Sequence, residues 1–282
     1  MADLAVRTLR RPAAPVHGTL FMPSAQPPAA VLLIGGSGGS EPAYLGEAFA
    51  AEGIAALSVA YFARPGLPAQ LRGIPLEYFF AALELLRAEV RSPDVPLAIL
   101  GMSRGSEAAM LTAIHSAIGS DGVLATVPGN VIAGSLPAGG PAWLLDGEPL
   151  PYATHSGPDC ADPLAVIPVE RVPGQVFLVA AGDDRVWPSA AMANALADRL
   201  RERGHRYGRT VLVYPKAGHS VGYLTPELPA GLLPAELSDG PEERAARADA
   251  WPKAVEFLRQ LSSRAAAVPA AGHDCQSGRN LR

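Results

Sequence analysis

Three short segments bring together the residue types of nucleophilic acyl chemistry. Ser103 stands in Gly101-Met102-Ser103-Arg104-Gly105, His219 in Pro215-Lys216-Ala217-Gly218-His219-Ser220, and Asp183 and Asp184 in Gly182-Asp183-Asp184-Arg185-Val186-Trp187-Pro188. A serine hydroxyl is a poor nucleophile at neutral pH. It needs a base within hydrogen-bond reach and a third group that orients the base. GxSxG is weak evidence by itself in a glycine-rich chain. Its setting is more specific, because the apolar run at 95–100 reads as a strand that enters the motif and the residues after it read as a helix. A nucleophile elbow needs that strand–turn–helix context, and its glycines are required where a side chain would collide with neighbouring backbone.

Of the six histidines, His219 is the candidate base because its loop directly follows the expected strand at 210–214. His17, His115, His155, His205 and His273 read as structural or solvated. The acid is expected after the strand at 175–181, at the carboxyl end of a sheet where catalytic groups collect. Asp184 is preferred because it lies a few residues before Pro188, which opens the next helix, and Asp183 is the alternative. Trp187 reads as packing. A tetrahedral intermediate needs two donors for its oxyanion. One candidate is the backbone N–H of Arg104, and the other belongs to the loop Gly35-Gly36-Ser37-Gly38-Gly39, with Ser37 preferred and Gly36 beside it. A phosphate-cradling role for this loop is disfavoured, since it has neither GxxxxGK[ST] nor GxGxxG spacing.

The elements that position these residues alternate. Expected strands at 16–22, 29–34, 54–60, 95–100, 175–181 and 210–214 are interleaved with expected helices at 44–52, 76–90, after Ser103, at 189–203 and at 245–261, the last with Pro252 within or near a kink. Such alternation predicts βαβ units, hence a mostly parallel sheet with helices on both faces. Residues 1–28 read as a lead-in with one strand. Residues 128–172, rich in Gly and Pro and without a period, are too long for an ordinary loop and read as a cap-like insertion. They are expected to decide how well the site excludes water. The end of the chain, 265–282, reads as disordered.

Composition narrows the function classes. The chain has 282 residues, 49% hydrophobic and 18% charged, and mean hydropathy is +0.16. That is globular. A net charge of −4 without a basic block disfavours nucleic acid. No apolar run reaches the roughly 20 residues of a membrane helix, and the first residues lack a signal-peptide core, so a cytosolic protein is expected. Cys160 and Cys275 have no zinc-ligand spacing and read as structural thiols; neither metal nor cofactor is expected.

The segments IGGSGGSEP, IPLEYFFAALELLR, LGMSRGSEAA, IPVERVPGQVFLVAAGDDRVWPS, VYPKAGHS and ADAWPKAVEFL, spread over residues 29–262, resemble the catalytic domain of the acyl-CoA thioesterase and bile acid-CoA:amino acid N-acyltransferase family. That family is an α/β-hydrolase branch close to the dienelactone hydrolases. The resemblance implies an acyl thioester substrate, carried by coenzyme A or a carrier protein, with Ser103 as nucleophile, Asp184 as acid and His219 as base. A serine nucleophile resembles the hydrolytic members, whereas cysteine is the mark of transferases to amines. The family's immunoglobulin-like leading domain has no counterpart in residues 1–28, and Arg104 replaces the lysine often seen after the nucleophile. Arg104 and Arg185 are candidates to contact an acidic substrate, against the commoner role of a solvated surface arginine. The rival functions are acyl transfer to an amine or alcohol, a dienelactone hydrolase-like carboxylesterase, and a non-catalytic binding protein on the same fold.

Overall fold

A computed structural model describes residues 4–154 and 162–262. Its strands are β1 (Leu4–Leu9), β2 (His17–Pro23), β3 (Ala30–Ile34), β4 (Ala55–Ala60), β5 (Ile74–Pro75), β6 (Leu97–Met102), β7 (Gly122–Thr126), β8 (Trp143–Leu145), β9 (Glu148–Pro149), β10 (Gln175–Ala181) and β11 (Arg209–Tyr214). The helices are α1 (Ala43–Ala51), α2 (Glu77–Val90), α3 (Arg104–His115), α4 (Ser189–Glu202) and α5 (Pro241–Arg259). Eight strands form the main sheet in the order β1-β2-β4-β3-β6-β7-β10-β11. β1 and β2 pair antiparallel, as do β2 and β4, and every pairing from β4 to β11 is parallel.

The central strands read as continuous apolar runs because both of their faces are covered. Leu32 and Ile34 of β3 join one core with residues of α2, α3 and α4. Val31 and Leu33, pointing the other way, join a second core with α1 and α5. All five residues of β3 and all six of β6 are buried. A crossover connection between parallel strands leaves helices on the sheet faces, which fixes α3 behind the carboxyl end of β6.

Three expectations need correction. Residues 4–28 contribute two strands instead of one. β1 is an edge strand with four of its six residues exposed, so it shows no apolar face in the sequence. β7 also went unassigned, being a five-residue run between α3 and the Gly/Pro-rich stretch. The last helix begins at Pro241, not at 245, and its Pro-Glu-Glu start places proline where the missing N–H costs nothing. It runs on through Pro252.

The insertion is built into the body of the protein. β5, β8 and β9 form a small separate sheet, and Trp143 of β8 is fully buried. The expected disordered tail, with His273 and Cys275, lies outside the described residues, as do His155 and Cys160. Among the described residues no helix is long and apolar enough to cross a membrane.

Candidate active site

Ser103 sits between β6 and α3 with φ 53° and ψ −123°, in the positive-φ region that non-glycine residues rarely adopt. Glycine on either side makes this possible. A Cβ on Gly101 would stand 2.1 Å from the Gly105 carbonyl oxygen, and one on Gly105 would stand 2.3 Å from that of Gly35. Strand, turn and helix are therefore pressed together at backbone distance, and the Ser103 N–H is held by the Thr126 carbonyl at 2.9 Å. The N–H of Arg104 is the first of α3 and has no acceptor within the helix.

His219 follows β11 and opens a 3-10 turn (His219–Tyr223). Its Nδ1 lies 2.9 Å from Asp184 Oδ2 and 3.0 Å from Oδ1, and both side chains are almost completely buried. The Asp184 carboxylate also accepts from the Val186 and Trp187 N–H groups. Burial pushes the Asp184 carboxyl up. The hydrogen bond and charge of His219 and the surrounding donors outweigh that effect and hold it below its usual range. Asp183 points away: its carboxylate is 58% exposed and faces Arg185 at 3.5 Å, while its N–H is spent on the Ala217 carbonyl. Trp187 is buried, donates from Nε1 to the Val127 carbonyl and sets its ring edgewise to His219.

Ser103 and His219 line one cavity of about 220 Å³. No hydrogen bond joins them among the described residues. Such contacts are commonly loose until substrate binds. Gly36 and Ser37 line the same cavity. Gly36 packs on Ser103, since a Cβ there would be 3.4 Å from the Ser103 Cβ, whereas Ser37 is solvent-exposed. Tyr61, just past β4 and fully buried, donates its hydroxyl toward the Gly36 carbonyl at 2.6 Å and the Gly35 carbonyl at 3.1 Å. Because C=O and N–H point in opposite directions across a planar peptide, this turns the amides of Gly36 and Ser37 away from Tyr61. Burial raises the Tyr61 hydroxyl well above its ordinary value, so it remains a donor. Tyr61 lies outside the site expected from the sequence; its one signal there is a tyrosine at the carboxyl end of a buried strand.

The outer wall was also unforeseen. The insertion was expected to close the site, yet among the described residues none of 128–172 lines this cavity. Tyr223, which ends the 3-10 turn, does so instead, together with Leu232, Pro234, Glu236 and Leu237 on the strap between that turn and α5. Ser220 Oγ, next to His219, donates to the Ser238 carbonyl at 2.5 Å. Fully buried Arg247 of α5 holds both ends of the strap, with Nε donating to the Thr225 carbonyl at 2.9 Å and Nη2 to Asp239 at 2.5 Å. Glu243, one turn earlier on α5, accepts from the N–H of Gly218. The strap and the histidine loop are thus tied to the same helix.

Arg104 corrects another expectation. Its side chain is neither solvated nor in the cavity with Ser103; it is buried, 2.8 Å from Glu107, and donates to the carbonyls of Ala133 and Gly134. Glu107, fully buried, also accepts from Trp143 Nε1 at 2.8 Å and the Ala133 N–H at 3.1 Å. Burial raises the Glu107 carboxyl against the pull of Arg104 and these donors. The pair clamps the insertion onto α3. Glu107→Ala strands the arginine in a dry site, so unfolding free energy in urea is expected to fall by about 3–5 kcal/mol. Arg185, by contrast, is a surface side chain. His17 contacts the Pro65 carbonyl, His205 the Glu170 and Gly174 carbonyls, and His115 ends α3; none is brought to Ser103.

Residues 150–263 match the family described as BAAT / Acyl-CoA thioester hydrolase C terminal. Mitochondrial acyl-coenzyme A thioesterase 2 of Mus musculus is 30% identical over 274 residues, covering 88% of this chain and 59% of that protein. Acyl-coenzyme A amino acid N-acyltransferase 2 of Rattus norvegicus is 28% identical over 233 residues, covering 73% of this chain and 52% of that protein. The chain spans little more than half the length of these relatives. A solved dienelactone hydrolase from Anabaena variabilis superposes with a TM-score of 0.57 at 15% identity, covering 93% of this chain and 99% of that one. The fold is that of the α/β-hydrolases.

Proposed function

We propose that the chain, whose residues 150–263 match the BAAT / acyl-CoA thioester hydrolase C-terminal family, hydrolyses acyl thioesters through an acyl-serine intermediate. The observation that carries this reading is the buried Asp184–His219 pair, whose His219 lines one cavity with Ser103 on a positive-φ elbow. With Asp184 holding Nδ1–H, Nε2 is left as the basic nitrogen. It takes the Ser103 proton as Oγ bonds to the thioester carbon. The oxyanion is met by the N–H of Arg104 and by an amide of the glycine loop, at Gly36 or Ser37. The C–S bond then breaks and the leaving thiolate takes the proton from His219. Water repeats the sequence, giving the free acid and Ser103.

Acyl-coenzyme A, acyl-carrier and aryl esters should be compared by thiol or phenol release. An alkyl fluorophosphonate supplies the decisive test: Ser103 Oγ bonds to phosphorus, fluoride leaves, and the added mass maps to the peptide containing Ser103. Thioester turnover with that label supports the reading; an intact protein that never labels there overturns it. Since a relative is named as an N-acyltransferase, an added amino acid is a necessary arm. Faster thiol release with an amide product would favour transfer over hydrolysis.

A further inference from the structure

The chemical character of the cavity bears on which acyl groups it accepts. At about 220 Å³ it is smaller than the roughly 300–1,000 Å³ of sites for drug-sized ligands. Its apolar wall comes from Met102 and Tyr44 inside and Leu232 and Leu237 on the strap. Its charged groups are two carboxylates. Glu41, half-buried, accepts from Thr19 Oγ1 at 3.2 Å, and Glu236 is an exposed residue of the strap. Among the described residues no lysine or arginine lines it. Of the arginines around it, Arg104 is paired with Glu107 and Arg247 with Thr225 and Asp239, while Arg185, beside the lining residue Val186, is a surface side chain facing Asp183. Arg247 holds both ends of the strap and Ser220 holds Ser238, so Glu236 is carried on an anchored segment.

Coenzyme A carries phosphates, which this lining repels, and the whole coenzyme is too large for about 220 Å³, so the part that enters is the acyl group. Resting on the hydrolase reading above, we infer that the cavity selects short to medium acyl groups with a neutral or cationic end, and that Glu41 and Glu236 reject acyl groups ending in a carboxylate. Like charges in a partly dry cleft repel several-fold more strongly than in bulk water. The exposure of Glu236 moderates the effect and makes it sensitive to salt.

The test varies only the acyl end. Hexanoyl, 6-aminohexanoyl and 5-carboxypentanoyl thioesters of the neutral thiol N-acetylcysteamine are compared by kcat/KM, alongside Ser103 labelling rates for fluorophosphonates with hexyl or 5-carboxypentyl tails. The neutral probe is expected to outrun the carboxylated one at least tenfold in both series, with the amino compound level with the neutral one or ahead. That ratio should shrink severalfold in Glu236→Gln, further in the Glu41→Gln/Glu236→Gln double variant, and in the unaltered protein as salt rises. Since Glu236 is exposed, its single variant keeps the test open if the double variant fails to fold. Equal use of the two acyl ends, a ratio untouched by Glu236→Gln, or no labelling by either tail overturns the inference. If no thioester is turned over while labelling still discriminates, the hydrolase reading fails and the selectivity stands.

Discussion

Ser103→Ala is expected to lower kcat for thioester hydrolysis by about five to six orders of magnitude and to abolish fluorophosphonate labelling. The loss is that large because the hydroxyl supplies the bond-forming atom. What remains is catalysis by substrate binding and the oxyanion donors alone. Stability should hardly move. The Ser103 side chain makes no hydrogen bond among the described residues, and alanine meets the positive φ with the same Cβ that serine already carries. A urea midpoint within about 0.5 kcal/mol of the parent is the expected companion result. Retention of more than about 1% of turnover by a purified, folded variant would remove the acyl-serine intermediate from consideration.

Asp184→Asn should cost about 10⁴-fold in kcat while leaving the backbone in place. An amide at this position can turn its NH2 toward Nδ1, which favours the tautomer with the proton on Nε2 and takes away the base. Asp183→Asn is the control and should fall by no more than about threefold, since that carboxylate faces Arg185 and solvent. A reversal of the two results would make Asp183 the acid. The pair also has a signature in stability. The Asp184 carboxyl is held below its ordinary range in the folded protein. Its contribution is therefore fully present above the unfolded carboxylate value of about 3.9 and is lost as pH falls through the folded value. Urea midpoints measured from pH 5 downward should drop more steeply for the parent than for Asp184→Asn. Parallel curves would mean that His219 does not stabilise this carboxylate.

Local signals reached different depths at different residues. Ser103 was legible because a glycine at each side and a strand before it describe one continuous piece of backbone, whose constraints act over five residues. His219 was legible for the same reason, lying directly after an apolar run. The choice between Asp183 and Asp184 was open to inference but not to derivation: neighbouring side chains on a turn leave in different directions, and only the packed loop shows which one meets the imidazole. Arg104 was misread because one charged side chain has the same spacing whether it is solvated or paired. Its partner Glu107 and their shared contacts with Ala133 and Trp143 exist only once the insertion folds back onto α3.

The wall of the cavity lay furthest from the sequence. Residues 223–237 have no apolar period, and their closeness to Ser103 depends on Arg247, Ser220 and α5. By itself the sequence determined the parallel sheet, the elbow and the chain order Ser, Asp, His, since each follows from apolar runs and glycines whose effect is local. Tertiary structure alone decided which aspartate holds His219, where the Arg104 charge is buried, and which segment encloses Ser103. Those are contacts between residues far apart in the chain, and packing, not spacing, brings them together.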